Sequence, residues 1–431
     1  MVDIAPFRGL LFNQDKTGPI DQVTAPPYDV ISPEQQDALY KKNPYNVVRL
    51  ILEKQYPGDD EKKNRYTRSS VTFKKWIEDG VLVEEEKPGF YVYSQEYDYE
   101  GESVCRVGFF ARVRAEDFSA GNICPHEFTL AKAKQDRMNL LKACRANFSP
   151  IFGLFSDPSG EIDASLNQTM KGEPFAVIEE NGVLNKAWRL DDDETLAFIM
   201  GQFHDKKIFI ADGHHRYETA LNYYKENKKA VVDSAHVMMF LTNLDAQSLA
   251  VYPIHRLIKS PTFFDETVFM NQVKKYFAVA PLDKGVEKNE IQKALDSVSE
   301  DEIAFCIYFG QGRGCVIKVK EKANMLPLLE VGESEELKVL DVAQLHTVVL
   351  KNILNIDTKQ SSDQKYVTYK VDMVEALGRV DSGEFDLAFF MNATPVSEVR
   401  KLAEKGIRLP QKATFFYPKL LSGLVINKFE S

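Results

Sequence analysis

Cysteine is sparse in this chain: five residues among 431, scattered at Cys105, Cys124, Cys144, Cys306 and Cys315. None forms a Cys-x-x-Cys pair, which excludes a zinc ribbon and a disulfide framework and fits a reducing, cytoplasmic setting. No apolar run approaches the ~18 residues of a membrane span. The opening Met-Val-Asp-Ile-Ala-Pro-Phe-Arg-Gly has no basic stretch ahead of an apolar core, so no secretory leader is expected. Low-complexity tracts, fixed-period repeats and long linkers are missing too. Positive charge is also short: 54 Lys and Arg stand against 64 Asp and Glu, a net charge of −10. Without a basic stripe the chain is a poor binder of nucleic acid, whose phosphates must be neutralised by clustered cations. The charge runs that stand out, Glu84 to Glu86 and Asp191 to Glu194, are acidic and read as solvated loops.

What is present is an ordinary globular composition, 44% hydrophobic and 27% charged, long enough for two or three domains. The pattern predicts an α+β domain over 1–118, a core over 119–260 with an insertion near 157–205, and an α/β domain over 261–431. Ser32-Pro33-Glu34-Gln35 reads as a capped helix start, closed by Asn43-Pro44. Tyr66, Ser70, Phe73 and Ile77 give a second helix its apolar face, with Gly80 as its stop. Tyr91, Tyr93, Tyr97 and Tyr99 lie on one face of a strand whose partner runs from Val104 to Val113 beyond Glu100-Gly101-Glu102. Leu130, Ala133, Arg137, Leu141 and Cys144 share one face of a later helix. Asp341 is expected to cap a helix carrying Val342, Leu345 and Val349, and Asp386 to Met391 reads as a buried strand.

The most informative stretch is 206–227. Ile208, Phe209 and Ile210 form a short β-rich apolar run. Asp212 is the expected N-cap of the helix that follows, and Gly213 permits a sharp turn. Tyr217, Ala220, Leu221 and Tyr224 then recur at helical spacing. His214, His215 and Arg216 therefore fall in the first helical turn, where cationic groups oppose the positive end of the helix unless an anion binds there. This misfit marks an anion site, most often one for phosphate. Zinc is disfavoured because no His-x-x-x-His spacing places two imidazoles on one face. A Mg²⁺ ion arriving with a nucleotide needs only one or two carboxylates, and Asp212 is the candidate ligand.

Other segments carry weaker signals. His126-Glu127 precedes a helix and would supply a carboxylate to take the proton of an attacking hydroxyl. Gly310-Gln311-Gly312-Arg313-Gly314 lies between two strand-like runs and reads as a hairpin turn, not a phosphate loop, and there is no Gly-Lys-Ser/Thr P-loop. Ala25-Pro26-Pro27-Tyr28-Asp29 is a rigid loop with either a structural or a binding role. Tyr252-Pro253-Ile254-His255-Arg256 and Tyr417-Pro418-Lys419-Leu420-Leu421-Ser422-Gly423 add a His-Arg pair and a lysine that spacing alone cannot place.

Ala25 to Ile31, Asn43-Pro44-Tyr45-Asn46, Pro125-His126-Glu127 with Lys132 to Arg137, Ala211 to Ala220, and Phe416 to Gly423 together resemble domain-of-unknown-function family ten-fifteen over essentially the whole chain. That family brings no settled activity. The turn Ile210 to Arg216 also resembles the signature turn of the ParB/sulfiredoxin superfamily. This implies a mixed α/β fold with a central nucleotide-binding core and N- and C-terminal α/β extensions packed on it. His214 stands where a sulfiredoxin carries its cysteine, and His214 and His215 replace the Glu and first Arg of the ParB box. The free serine kinases of the superfamily match best, with an Asp-Gly-His-x-Arg turn and an upstream His-Glu pair. The resemblance implies transfer of a phosphoryl group from ATP or ADP, with Mg²⁺, to a small hydroxylated metabolite such as L-serine. Gly213, His215 and Arg216 would hold the phosphates, and Asp212 would position Mg²⁺ or the substrate. Glu127 would be the general base, and His126 or His214 would steady developing charge. Three alternatives remain at this stage: a nucleotide-binding regulator without turnover, a nucleotide hydrolase, and a ParB-like partition or DNA-associated factor.

Overall fold

The computed structural model describes residues 1–129, 131–227, 232–246, 248–282, 285–299, 302–320, 335–338, 340–360 and 362–430. Leu130 of the predicted helix face lies outside them. The fold is mixed α/β. The chain divides into two compact units: Met1–Pro125 with Thr129–Ala250 and Pro418–Ser431, and His126–Phe128 with Val251–Tyr417.

The first unit is built on a nine-stranded mixed sheet. In chain order its strands are β1 (Ile4–Ala5), β2 (Phe90–Tyr99), β3 (Glu102–Arg114), β4 (Ile123–Cys124), β5 (Ile151–Phe155), β6 (Ala176–Glu180), β7 (Val183–Leu190), β8 (Ile208–Asp212) and β9 (His236–Asn243). They lie side by side as β4-β8-β5-β9-β3-β2-β7-β6, with β1 on β3. The β2–β3 hairpin closes over Glu100 and Gly101, both at positive φ (54° and 85°), as a tight two-residue turn between right-twisted strands requires. Residues 157–205 supply the β6–β7 hairpin and two helices, α4 (Glu161–Thr169) and α5 (Asp193–Gln202). One face of the sheet packs on Ile4, Phe90, Phe109, Ile151, Ile208 and Tyr217.

Helices form where caps and periodicity agree. Helix α1 (Pro33–Lys42) opens on the predicted capping box: the Gln35 N–H donates to Ser32 Oγ at 3.2 Å, and the Ser32 N–H donates to Gln35 Oε1 at 2.8 Å. In α2 (Arg65–Glu78) the buried face is Ser69, Phe73 and Trp76, rotated from the predicted one, with Tyr66, Ser70 and Ile77 half-buried at its flanks. The large indole draws the face toward itself and stacks edge-on to Phe12, 5.8 Å away. Helix α3 (Ala131–Cys144) buries Arg137, Met138, Leu140, Leu141 and Cys144.

The opposite face of the sheet carries a polar network. Tyr93 donates to Asn185 Oδ1 at 2.5 Å, as does Gln95 Nε2 at 2.9 Å. The fully buried Arg106 donates to Gln95 Oε1 and, at 2.5 Å, to the Pro418 carbonyl. Gln95 also donates to the Lys419 carbonyl at 3.2 Å. The C-terminal segment is thereby seated on this face.

The second unit has a six-stranded sheet: β10 (His255–Ile258), β11 (Phe277–Pro281), β12 (Ala304–Gly310), β13 (Arg313–Val319), β14 (Val367–Lys370) and β15 (Leu387–Phe390), in the order β11-β13-β12-β15-β10-β14. Both faces are buried, one around Phe305, Val348 and Phe389 and the other around Ile291, Tyr308 and Phe390. Gln311 and Gly312, at φ 56° and 66°, form the turn between β12 and β13, so this glycine-rich run is the predicted hairpin. The Asp341 helix differs from expectation: Leu340 is its N-cap, and Asp341 is its first helical residue. The half-buried Asp341 carboxyl accepts from the adjacent Val342 N–H at 2.6 Å, and desolvation pushes it up to about 6.

No helix among the described residues is long and apolar enough to cross a membrane. Gly108 in β3 offers a direct test of sheet packing. A Cβ there would lie 2.3 Å from the Leu241 carbonyl oxygen of the neighbouring strand. Gly108→Ala is expected to cost about 2 kcal/mol or more, read as a lowered denaturant midpoint at unchanged slope.

Candidate active site

Strand β8 alternates no polar residues along its buried length and ends at Asp212. Its register against β5 shifts between Ile210 and Asp212, which releases the chain from the sheet. Gly213 follows at φ 91°, where a Cβ would come within 3.0 Å of the Arg216 guanidinium. Helix α6 (His214–Asn227) then begins, and the Gly213 carbonyl accepts from Tyr217 N–H at 2.9 Å. Gly213, not Asp212, is thus the N-cap. Asp212 remains part of the strand, paired with Phe152.

The Asp212 carboxylate is occupied by cations. Oδ2 accepts from Arg216 at 2.5 Å and Oδ1 from Lys419 at 2.8 Å. All three side chains are mostly withdrawn from solvent. Arg216 also donates to the Pro150 carbonyl, which anchors it to the start of β5. Two cations thus meet one carboxylate at a helix N-terminus, whose own dipole end is positive. His214 is buried and His215 half-buried in this first turn.

Lys419 was one of the residues that spacing could not place. Arg106 and Gln95 hold the main chain at Pro418 and Lys419. Ser422 pairs through its main chain with Ala25 of the Ala25-Pro26-Pro27 loop (2.7 and 3.3 Å). Gly423, at φ 83°, passes so close to Val47 that a Cβ would meet it at 2.8 Å. The segment's position is therefore determined at three points.

Tyr28 and Arg137 form a second constellation in the same unit. The Arg137 guanidinium stacks 3.8 Å from the Tyr28 ring centroid. It donates to Asp136 at 2.5 and 2.8 Å and to the Ile51 carbonyl at 3.1 Å. Asp136 also receives Tyr66 at 2.7 Å and Arg65. Sequence reasoning passed over Asp136 and Arg65. An arginine on the apolar face of a predicted helix was the signal for this group, since a buried guanidinium must find a carboxylate.

His126 and Glu127 belong to the second unit. His126 is fully buried; its Nε2 lies 2.9 Å from Thr414 Oγ1 and its carbonyl accepts from Leu409 N–H at 2.6 Å. Glu127 is half-buried, and its Oε1 accepts from Lys412 N–H at 2.9 Å. The carbonyl of Lys412 in turn accepts from the buried Arg256 at 2.9 Å. Lys412 has φ 56°, and its backbone is gripped on both sides in this left-handed conformation. His255 and Arg256 also lie in this unit, both buried.

His255 generates a pH prediction. Desolvation, aided by Arg256 and opposed by Asp372, pushes its imidazole down to about 3. The unfolded chain binds this proton below its ordinary value of 6.5, and the folded chain does not until about 3. The stability that neutral His255 contributes is complete above about pH 6.5 and is lost as pH falls toward 3, by about 1.4 kcal/mol per pH unit in between. His255→Leu is expected to flatten the dependence of unfolding free energy on pH by about one proton between pH 6 and 4, measured by denaturant titration against the parent.

No curated protein sequence matches the chain. Among solved structures, a conserved hypothetical protein from Pyrococcus furiosus is similar at 15% identity and a TM-score of 0.35, covering 72% of this chain and 90% of that one. A free serine kinase in complex with AMP is similar at 17% identity and a TM-score of 0.34, covering 74% and 92%. SbnI with a C-terminal truncation, from Staphylococcus aureus, gives 10% identity and a TM-score of 0.35, covering 73% and 85%. Residues 4–343 match the family described as "Protein of unknown function (DUF1015)", and the chain belongs to that family.

Proposed function

We propose that this protein binds a nucleotide, ATP or ADP, at the N-terminus of α6 and transfers a phosphoryl group from it to a small hydroxylated metabolite, with L-serine the first acceptor to test. The observation that carries the reading is the charge at the turn. Asp212 faces both Arg216 and Lys419, beside helical N–H groups that point at whatever binds there. Phosphate oxygens would complement those cations and the positive helix end. Gly213 leaves room for the Arg216 guanidinium to lie against the turn, and His215 and Arg216 supply donors to a phosphate.

Phosphoryl transfer asks little covalent chemistry of a protein and much positioning. Glu127 is assigned the proton of the attacking hydroxyl, with His126 or His214 steadying the charge that develops. Asp212 is a carboxylate of the kind that holds a Mg²⁺ ion brought by a nucleotide, or it orients the acceptor. Bound there, the ion would offset the negative charge of the phosphates. Lys419 joins Arg216 as a phosphate ligand in this reading, moving from the carboxylate to the nucleotide.

Thermal-shift titration with ATP, ADP and AMP, with and without Mg²⁺, tests the binding step. Saturable stabilisation is expected by mass action, and a folded sample that responds to no nucleotide sinks the reading. Lys419→Met is expected to weaken nucleotide binding about tenfold or more, the worth of one charge-assisted hydrogen bond.

One observation favours a second reading, a nucleotide-binding regulator without turnover. Glu127 Oε1 accepts from the Lys412 N–H, as befits a loop clamp. Phosphorus NMR with hydroxyl acceptors separates the two. A kinase loses product formation in Glu127→Gln while keeping nucleotide affinity; the regulator forms no product even before substitution.

A further inference from the structure

The turn is not the only place in the first unit where cations gather. A cavity of about 60 Å³ opens beside it, lined by Arg137 from the middle of α3 and Arg216 from the first turn of α6, with Ile51, Leu140, Leu141 and Ile151 as apolar wall. We propose that this cavity is an oxyanion subsite in which Arg137 and Arg216 take the carboxylate of the acceptor, with Tyr28 as the platform that holds Arg137 flat. The proposal rests on the phosphoryl-transfer reading above and narrows its acceptor to a small acid.

Three observations carry it. The first is charge. Arg65, Arg137, Arg216 and Lys419 share two carboxylates, Asp136 and Asp212, through direct ion pairs. An arginine carries five N–H donors, more than Arg137 spends on Asp136 and the Ile51 carbonyl or Arg216 on Asp212 and the Pro150 carbonyl, so both can offer donors to an anion in the cavity they line.

The second is shape. The planar guanidinium fork fits carboxylate and phosphate oxygens in pairs. The cavity exceeds the ~10–15 Å³ that one water needs, and it suits a single carboxylate or phosphate group, not a nucleotide. Its apolar wall suits the short hydrocarbon body of such an acid.

The third is preorganisation. Tyr28 stacks on Arg137, and Asp136 and the Ile51 carbonyl fix the guanidinium edge. Tyr28 sits in the Ala25-Pro26-Pro27-Tyr28-Asp29 loop, which the Ala25–Ser422 pairing ties to the segment bearing Lys419. That loop is given a function by this arrangement: it carries the floor of the subsite.

The test uses the full chain at low ionic strength and isothermal titration with L-serine, acetate and inorganic phosphate. Each titration is run with and without saturating ADP, so that phosphate at the turn is counted separately. Saturable binding of L-serine and acetate, weakened at least tenfold in Arg137→Lys while ADP affinity stays within twofold, supports the proposal. Tyr28→Leu, at a half-buried position, is expected to weaken the same probes and serves if Arg137→Lys does not fold. Phosphate that still binds under saturating ADP and displaces L-serine supports one shared oxyanion site. Phosphate binding there without either carboxylate assigns the subsite to phosphorylated acceptors. No saturable binding of any probe, or unchanged affinity in both variants, overturns the proposal. Failure of ADP itself to bind instead overturns the nucleotide reading, and the probe titrations without ADP still decide the subsite.

Discussion

The sharing of one carboxylate, Asp212, between Arg216 and Lys419 is the interaction on which the geometry of the first unit's turn depends. It joins three pieces of chain: the end of a buried strand, the first turn of a helix, and a segment more than 200 residues later in sequence. Ion pairs of this kind contribute little net stability once desolvation is counted. Their value here is geometric. Arg216 cannot leave the Pro150 carbonyl without loosening the turn, and Lys419 is delivered by main-chain bonds from the buried Arg106 and Gln95. The charge at the helix start is thus set by the far face of the sheet.

A similar logic governs the second unit, with a different hub. Arg256, fully buried, holds the Lys412 carbonyl while Glu127 holds its N–H. Desolvation lowers Arg256 from its ordinary range and raises Asp341 toward neutrality. Buried charge is tolerated because each group supports a backbone conformation that would not otherwise persist. His126, bonded to Thr414, braces the same loop. The residues assigned to proton transfer are therefore also structural members of their own unit, which is why their removal must be read through binding and turnover together.

Much of the local structure was legible in the residues. The Ser32–Gln35 capping box, the Glu100-Gly101 and Gln311-Gly312 turns, the strand ending at Asp212 and the helix carrying Tyr217 and Ala220 follow from spacing and from positions that require positive φ. These are nearest-neighbour constraints, and a sequence states them directly. The misreadings came where tertiary contacts claimed a side chain. Asp212 looks like a helix cap, yet it is drawn to Arg216 and Lys419 and yields the cap position to Gly213; Asp341 sits one residue inside its helix and accepts from the Val342 N–H. Trp76 likewise rotated its helix face toward Phe12.

By itself, then, the sequence determined the turn: His214, His215 and Arg216 at a helix start, with a glycine where the backbone must bend. It also determined the mixed α/β class, through the alternation of apolar runs and capped helices. Only the tertiary structure decided which cations surround Asp212, and that Arg137 and Tyr28 gather beside it. The reason is range. Hydrogen-bonded turns and caps act over two to four residues, whereas a buried charge must be answered by whatever the fold brings near, at any distance along the chain.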